Sequence, residues 1–538
     1  MRPRRAHQPQ GGDTTATPPV TAHRHTGPAH APSLAELRAH LRSNGHQLYI
    51  GRGTGSSVWA GPEQAVLVLG PPRSGKTSSL VVPNVLAAPG AVVSTSTKLD
   101  VLATTAASRA RAGACWLFDP TGTTPVPDGV QALRWSPVEA CASWEEALVT
   151  ARVMTQAARP DGHLGESGHW TERAQALLAP LFHAGALSGG GARQVLAWVL
   201  RQDLQTPMAL LGARSPQGAL AMEVLGGILS TEERERSGIF STAAGVLAPY
   251  RSAGALETAR EHNFDPSAFV RSAGTVYICS PGRYQAVVAP VVVAFLEQVR
   301  AAVYALGAPG PGLPVTLALD ELANIAPLPD LPSMVSEGGG QGLLTLACLQ
   351  DLSQARVRWG RAADGFFSLF GAKVLLPGTG DLATLETVSR LGGQVDVPVR
   401  SLTSTPWWTG RPHLSVTRSW RRQPRLPVDA VHSLPRGTAL VVLSGRPPAL
   451  AELTPWWSHP VFSQAAQPQG PPLPPPQPGT GERGPGATAR YRGAPLAGLA
   501  GTPAPPSPPG GRPGPPDVAL TWQRVPGQRR LQPPPPQA

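Results

Sequence analysis

An α/β fold with a mainly parallel sheet is predicted by three features of the sequence. Short apolar runs at 65–69 (AVLVL), 91–94, 114–118, 275–279, 315–319, 343–348, 374–376 and 439–443 read as strands buried on both faces. Helical spacing separates them, and strands alternating with helices pair in parallel between two helical layers. The first run also stops at a glycine-rich turn that opens an apolar helix at 77–86. In such a sheet the carboxyl ends of the strands are where a ligand binds.

The elements follow in order. The 62 prolines and 59 glycines concentrate towards the two ends, and no packed core can come from that composition. Residues 1–33 therefore read as a disordered basic arm. A helix is expected from Ser33 to residue 41, with Ser33 as N-cap and Glu36 at the third helical position, the pairing of a capping box. Residues 34–137 hold the first part of the α/β domain, including a helix at 99–111. Between 138 and 265 the texture changes to Ala, Leu, Glu and Arg, with helical spacing at 144–154, 170–186, 192–201 and 219–229 and no strand signal. This predicts an inserted all-α domain. Residues 266–463 return to strands and complete the α/β domain, and 464–538 read as a disordered Pro/Gly-rich tail.

Composition narrows the function classes. Of the formal charge of +12, residues 1–33 carry +3 and residues 465–538 carry +5, which leaves +4 for everything between. Basic tails of this kind serve solubility or docking and do not by themselves make a nucleic-acid reader. The chain has only three lysines, Lys76, Lys98 and Lys373. Lysine then persists where a compact ammonium fits and a planar guanidinium does not, and Lys76 closes the glycine-rich turn. The four cysteines are scattered without CxxC spacing, and Cys279 and Cys348 fall in apolar runs. They read as buried thiols of a reducing cytoplasm. The thirteen histidines show no metal-binding spacing. No run of 18 apolar residues occurs, and none follows Arg2, Arg4 and Arg5, so a soluble, cytoplasmic chain without signal peptide is expected.

The chemistry lies at three strand ends. Gly70-Pro71-Pro72-Arg73-Ser74-Gly75-Lys76-Thr77 matches the phosphate-loop pattern GxxxxGK[ST]. Backbone N–H groups of such a loop wrap a phosphate, aided by the positive end of the following helix. Lys76 reaches the β- and γ-phosphates of ATP, and the Thr77 hydroxyl ligates Mg²⁺. The run 315–319 ends in Asp320-Glu321. Asp320 is placed to hold the metal's water shell, and Glu321 to take a proton from the attacking water. The 244 residues between Lys76 and Asp320 fit a nucleotide domain that carries an insertion. Gln350, after the run 343–348, is placed to sense the γ-phosphate or orient water.

Together these motifs resemble the TraG/TraD-type coupling ATPases of type IV secretion. The resemblance spans about 49–448 and rests on Tyr49-Ile50-Gly51, the phosphate loop in VLGPPRSGKTSSLVVPNVL, Ser96-Thr97-Lys98-Leu99-Asp100 and Phe118-Asp119-Pro120-Thr121-Gly122. It continues through Trp170, LDELANIAPLPDL, Leu349 to Gln354 with Trp359-Gly360, and Leu434-Pro435-Arg436-Gly437. The resemblance implies a RecA-like motor domain with an all-α insertion, and a homo-oligomeric ring, in that family a hexamer, driven by ATP hydrolysis. It further implies DNA as the translocated polymer, a relaxase–DNA complex as cargo, and type IV secretion channel components as partners. By position, Lys76 and Thr77 bind nucleotide and Mg²⁺, Asp320 is the metal acid, Glu321 the base and Gln350 the sensor.

The sequence departs from that family in three places. The family's N-terminal membrane helices have no counterpart, so attachment to the cytoplasmic face of the membrane is expected through a partner. Where many members place an arginine that acts across the subunit interface, this chain reads Glu337-Gly-Gly-Gly-Gln341-Gly342, expected as a flexible loop, with Arg356, Arg358 or Arg361 as substitutes. Thr97 stands where proline is common. Two other readings stay open: a non-motor ATP-binding adapter that recruits cargo to a secretion channel, and a double-stranded DNA translocase of the segregation type. No winged-helix pattern of the latter is visible near the C-terminus.

Overall fold

The computed structural model describes residues 33–466, apart from 44, 54–55, 159–165, 215–217, 308–312 and 405–413. Residues 1–32 of the predicted disordered arm and 467–538 of the predicted tail lie outside the described residues; the tail's first three residues, 464–466, instead close the last helix, where Ala465 is buried.

The first helix, α1 (Leu34–Ser43), opens as its capping signal requires. The Ser33 N–H donates to Glu36 Oε2 at 2.7 Å, and the Glu36 N–H donates back to Ser33 Oγ at 3.2 Å. Then come β1 (Tyr49–Arg52), β2 (Ser57–Trp59) and β3 (Val66–Leu69), the strand before the phosphate loop. The expected helix at 77–86 begins as one π-helical turn, Thr77–Val81, and continues as α2 (Val82–Ala87). It is followed by β4 (Val92–Ser96), α3 (Asp100–Arg109), β5 (Cys115–Phe118) and β6 (Gln131–Ala132).

From 138 to 265 every described element is helical. The run comprises α4 (Trp144–Ala158), α5 (Glu166–Ser188), α6 (Gly191–Arg201), α7 (Gln205–Arg214), α8 (Gly218–Leu229), α9 (Glu233–Val246) and α10 (Ala253–Thr258). It extends past 265 into α11 (Pro266–Val270), which Asp265 caps by accepting from the Ser267 N–H at 2.8 Å. Strands resume with β7 (Thr275–Cys279), α12 (Gln285–Ala305), β8 (Val315–Leu319), α13 (Leu322–Ile325), α14 (Leu331–Gly338) and β9 (Leu343–Leu349). The chain then forms α15 (Leu352–Trp359), α16 (Phe366–Leu369), β10 (Ala372–Leu375) and α17 (Leu382–Leu391). Beyond these lie the paired strands β11 (Gln394–Ser404) and β12 (Leu414–Pro424), then α18 (Val428–His432), β13 (Thr438–Leu443), β14 (Ala449–Glu452) and α19 (Pro460–Ala466).

Twelve strands form one sheet in the order β2-β1-β14-β13-β10-β3-β9-β8-β4-β7-β5-β6. Every pairing from β10 to β6 is parallel, and the four from β10 out to β2 are antiparallel. Side chains alternate between the two faces of a strand, and both faces of the sheet are covered, so the central strands are buried at every position and mostly apolar. In β3, Val66 and Val68 join a cluster with Leu80, Leu86, Leu102 and, from α19, Phe462. Leu67 and Leu69 face the other way, into a cluster with Phe118, Phe182 and Phe295. That second cluster is continuous with the helices of 138–270, so this helical run covers one sheet face. The apolar helix Gly282–Ala305 is long enough to cross a membrane by length and composition, and 72% of its most apolar window is buried here.

The amino-terminal edge of the sheet is tied by one fully buried arginine. Arg109 donates to Thr275 Oγ1 at 2.7 Å and to the carbonyls of Ala88, Gly90 and Ala273 at 2.6, 2.7 and 2.8 Å. A planar fork of five donors can satisfy several acceptors at once. Burial lowers its pKa. All four cysteines are free and buried.

One expectation is corrected here. The 338–342 glycine run is not a loop: Gly338 ends α14, and Gly339–Gln341 makes a single 3-10 turn. A methyl group on Gly339 would lie 2.0 Å from the Glu63 carbonyl oxygen, so close packing against that backbone requires glycine.

Candidate nucleotide-binding site

The sheet order explains how residues far apart in sequence come to one place. β3 is flanked by β9, and β9 by β8, so the carboxyl ends of three parallel strands lie side by side. The phosphate loop leaves the end of β3, Asp320 and Glu321 follow β8, and Gln350 follows β9.

The loop is built from its glycines. The Gly70 N–H donates to the Leu349 carbonyl at 3.2 Å, and a methyl group on Gly70 would lie 2.8 Å from both Leu376 Cβ and Ser74 Oγ. Gly75 has φ +100°, and Arg73 φ +64°. Left-handed steps of this kind let successive backbone amides form an anion-binding concavity. Ser74 Oγ is buried without a hydrogen-bond partner. An unpartnered donor in such a loop is what a phosphate oxygen would satisfy, so the residues present fit a nucleotide phosphate. Lys76 Nζ donates to the carbonyls of Gly70 and Pro71 at 2.5 and 2.9 Å, which holds its ammonium over the loop.

Thr77 and Asp320 meet directly: the Thr77 hydroxyl donates to Asp320 Oδ2 at 2.7 Å. Asp320 is only 9% exposed. Desolvation pushes its carboxyl up to about 6, against the opposing Thr77 hydrogen bond and the Lys76 charge, while neighbouring Glu321 raises it further. A hydroxyl and a desolvated carboxylate side by side make a hard oxygen pair of the kind Mg²⁺ takes. Glu321 precedes α13, and its Oε2 accepts from Asn324 Nδ2 at 3.1 Å.

Gln350 is exposed at the mouth of the site, and its backbone N–H donates to Gln354 Oε1 at 2.9 Å. A cavity of about 50 Å³ is lined by Pro72, Lys76, Asp320, Glu321, Cys348, Leu349, Gln350 and Gln354. The structure therefore brings together Lys76, Asp320, Glu321 and Gln350. Asn324 and Gln354 are additions that sequence reasoning missed. For Gln354 there was a signal: Asp351 caps α15 by accepting from the Gln354 N–H at 3.0 Å, which fixes a second glutamine one turn from the first. Of the candidate trans-acting arginines, Arg356 pairs within the chain with Asp364 at 3.0 Å and Asp381 at 3.8 Å, and Arg361 is exposed.

A comparison with curated protein sequences finds no match. Among solved structures, the unbound monoclinic form of the bacterial conjugative coupling protein TrwBdeltaN70 superposes with a TM-score of 0.57 at 20% identity, covering 79% of this chain and 92% of that one. Its trigonal form with sulphate gives 0.57 at 18% identity, with 82% and 96% covered. TrwB in complex with an ATP analogue gives 0.56 at 20%, with 79% and 92% covered. These likenesses lie in the fold. Residues 35–471 match the family model described as type IV secretory system conjugative DNA transfer, and the chain belongs to that family.

Proposed function

We propose that this protein is an ATP-driven coupling protein that recruits a relaxase–DNA cargo and pumps the DNA into a type IV secretion channel. The observation that carries the reading is the Thr77–Asp320 contact at 2.7 Å beside Lys76, Glu321 and Gln350 around one cavity. TrwB, described in complexes with an ATP analogue and with ADP and Mg²⁺, supports ATP and Mg²⁺ as the ligands.

In this reading the loop Gly70–Thr77 binds the phosphates, and Lys76 exchanges its two carbonyl partners for phosphate oxygens. Thr77 Oγ1 and Asp320 would hold Mg²⁺, which supplies charge neutralisation on the transferred phosphoryl group. Glu321 takes the proton of the attacking water, while Asn324 steadies one carboxylate oxygen and leaves the other for that water. Gln350 orients the water or reports the γ-phosphate. The domain division at 34–137, 138–265 and 266–463 assigns hydrolysis to the outer parts and cargo selection to the helical run. The chain acts as a homo-oligomeric ring on the cytoplasmic side of the membrane, held there through a partner.

Steady-state ATP hydrolysis by the full chain, with and without single- or double-stranded DNA, tests the reading against Glu321→Gln. DNA-stimulated turnover that is lost in the variant is the expected result. Tight ATP binding without turnover under any condition would instead assign the adapter role.

A further inference from the structure

The strands β11 and β12 make a two-stranded ribbon that no other strand among the described residues joins. They pair in register over all 11 residues of each. Every described side chain on them is exposed except the half-buried Val397 and Gln423. An isolated pair of strands is marginally stable in water, so a ribbon with no buried face is shaped by something other than the core.

Residues directly opposite in such a pair share a face, as do alternate residues along each strand. One face therefore carries Arg400 opposite Arg418, Trp420 opposite Pro398, and Arg422 opposite Asp396. Like charges placed directly opposite destabilise a strand pair. Neither Arg400 nor Arg418 has an acidic partner among the described residues, whereas Arg422 lies 3.6 Å from Asp396. Between the arginines, Trp420 is 74% exposed, the most of any large hydrophobic side chain among the described residues. Residues 394–404 and 414–425 together carry +4, the same net charge as the whole of 34–464.

We propose that this face binds a single nucleic-acid strand, with Arg400 and Arg418 on its phosphates and Trp420 stacked on a base. The inference rests on the DNA-moving reading above and names where the strand is held. A basic surface with an aromatic platform is how single strands are bound without sequence preference. The opposed arginines gain from a polyanion what they lose to each other. A second copy meeting this face through its own ribbon would bring like charge and repel, whereas a polyanion strand matches it, so the strand is the occupant that the charge selects.

The test uses the full chain and a fluorescein-labelled 30-nucleotide DNA strand, read by anisotropy across a salt series. Arg400→Gln with Arg418→Gln should flatten the slope of log affinity against log salt by about 1.4, because two phosphates are no longer neutralised. Trp420→Ala should weaken binding roughly 5- to 150-fold at one salt concentration and leave the slope, with Trp420→Phe restoring most of it. ATP hydrolysis without DNA should be unchanged in all three. In the unaltered chain, the strand should slow amide exchange across 394–404 and 414–424. If the unaltered chain binds the strand but the variants match it and exchange is not slowed, the ribbon proposal is wrong and the motor reading stands. If the unaltered chain binds no DNA, both fall. Variants that change only the sedimentation of the assembly would make the ribbon a subunit contact and overturn the proposal.

Discussion

Asp320 is under opposing influences, burial favouring its neutral acid and the Thr77 hydroxyl its carboxylate. With its pKa pushed up to about 6, a proton competes with any cation for this oxygen below that pH. Mg²⁺ affinity in the presence of nucleotide should fall about tenfold per pH unit beneath that value, measured by calorimetry; a flat profile would remove Asp320 from the metal site. Glu321→Gln should lower turnover about 10²- to 10⁴-fold while nucleotide affinity holds, because the phosphate loop is untouched. Lys76→Ala should lose both. The residues of the loop and the Asp-Glu pair were legible in the sequence because each sits at the end of an apolar run, where chemistry and strand end coincide. Asn324 and Gln354 act by holding Glu321 and the Gln350 backbone; only Gln354 left a trace in the sequence, through Asp351 as the cap of α15, and no spacing rule anticipates Asn324.

Elements became legible to the extent that they are buried on both sides. β3, β5, β7, β8 and β9 read directly as largely apolar runs, and β4 by its opening Ala91-Val92-Val93, whereas β1, β2, β6 and β14 are strands of two to four residues without such runs, β2 and β6 lying at the sheet edges. The β11–β12 ribbon gave no apolar pattern because neither face is buried. Arg109 could not be placed from sequence either, as its partners are carbonyls from the α2, β4 and β7 neighbourhoods. Arg109→Ala should leave those acceptors orphaned, at about 1–3 kcal/mol for each. A lowered unfolding midpoint that Arg109→Lys does not recover would be the expected outcome. Nearby, His46 Nε2 meets Thr316 Oγ1 at 3.0 Å, and burial lowers its pKa to about 4. The unfolded chain takes up that proton near 6.5 and the folded chain does not. Its contribution is therefore full above pH 6.5 and lost as pH falls towards 4. Asp320 works in the opposite direction in the metal-free protein, so the histidine is isolated by comparison: the midpoint of His46→Asn should fall less than that of the unaltered chain over this range.

The two ends of the described chain meet across one sheet face. Phe462 of α19 packs edge-on against Tyr49 of β1 at 5.5 Å, and Ala465 is buried in the same cluster. The fold thus runs to Ala466, three residues beyond the boundary that the proline-rich composition marked, because composition changes more gradually than packing does. A chain ended at Ala466 should keep its unfolding midpoint and turnover, while one ended at Ser463 should unfold at lower temperature.

The position of β3 within the sheet has a consequence for how the protein is made. Its neighbours on both sides are β9 and β10, and Val66 pairs with Leu346 and Ala372, about 280 and 306 residues later. At roughly 5–20 residues per second of synthesis, the phosphate-loop strand leaves the ribosome tens of seconds before either partner exists. The helices of 138–270 make mainly local contacts and can assemble in that interval, since local pairings form fastest. Birth of this molecule is therefore ordered: the helical layer can mature before the strands that flank β3 exist, and the nucleotide pocket closes only after β9 has arrived.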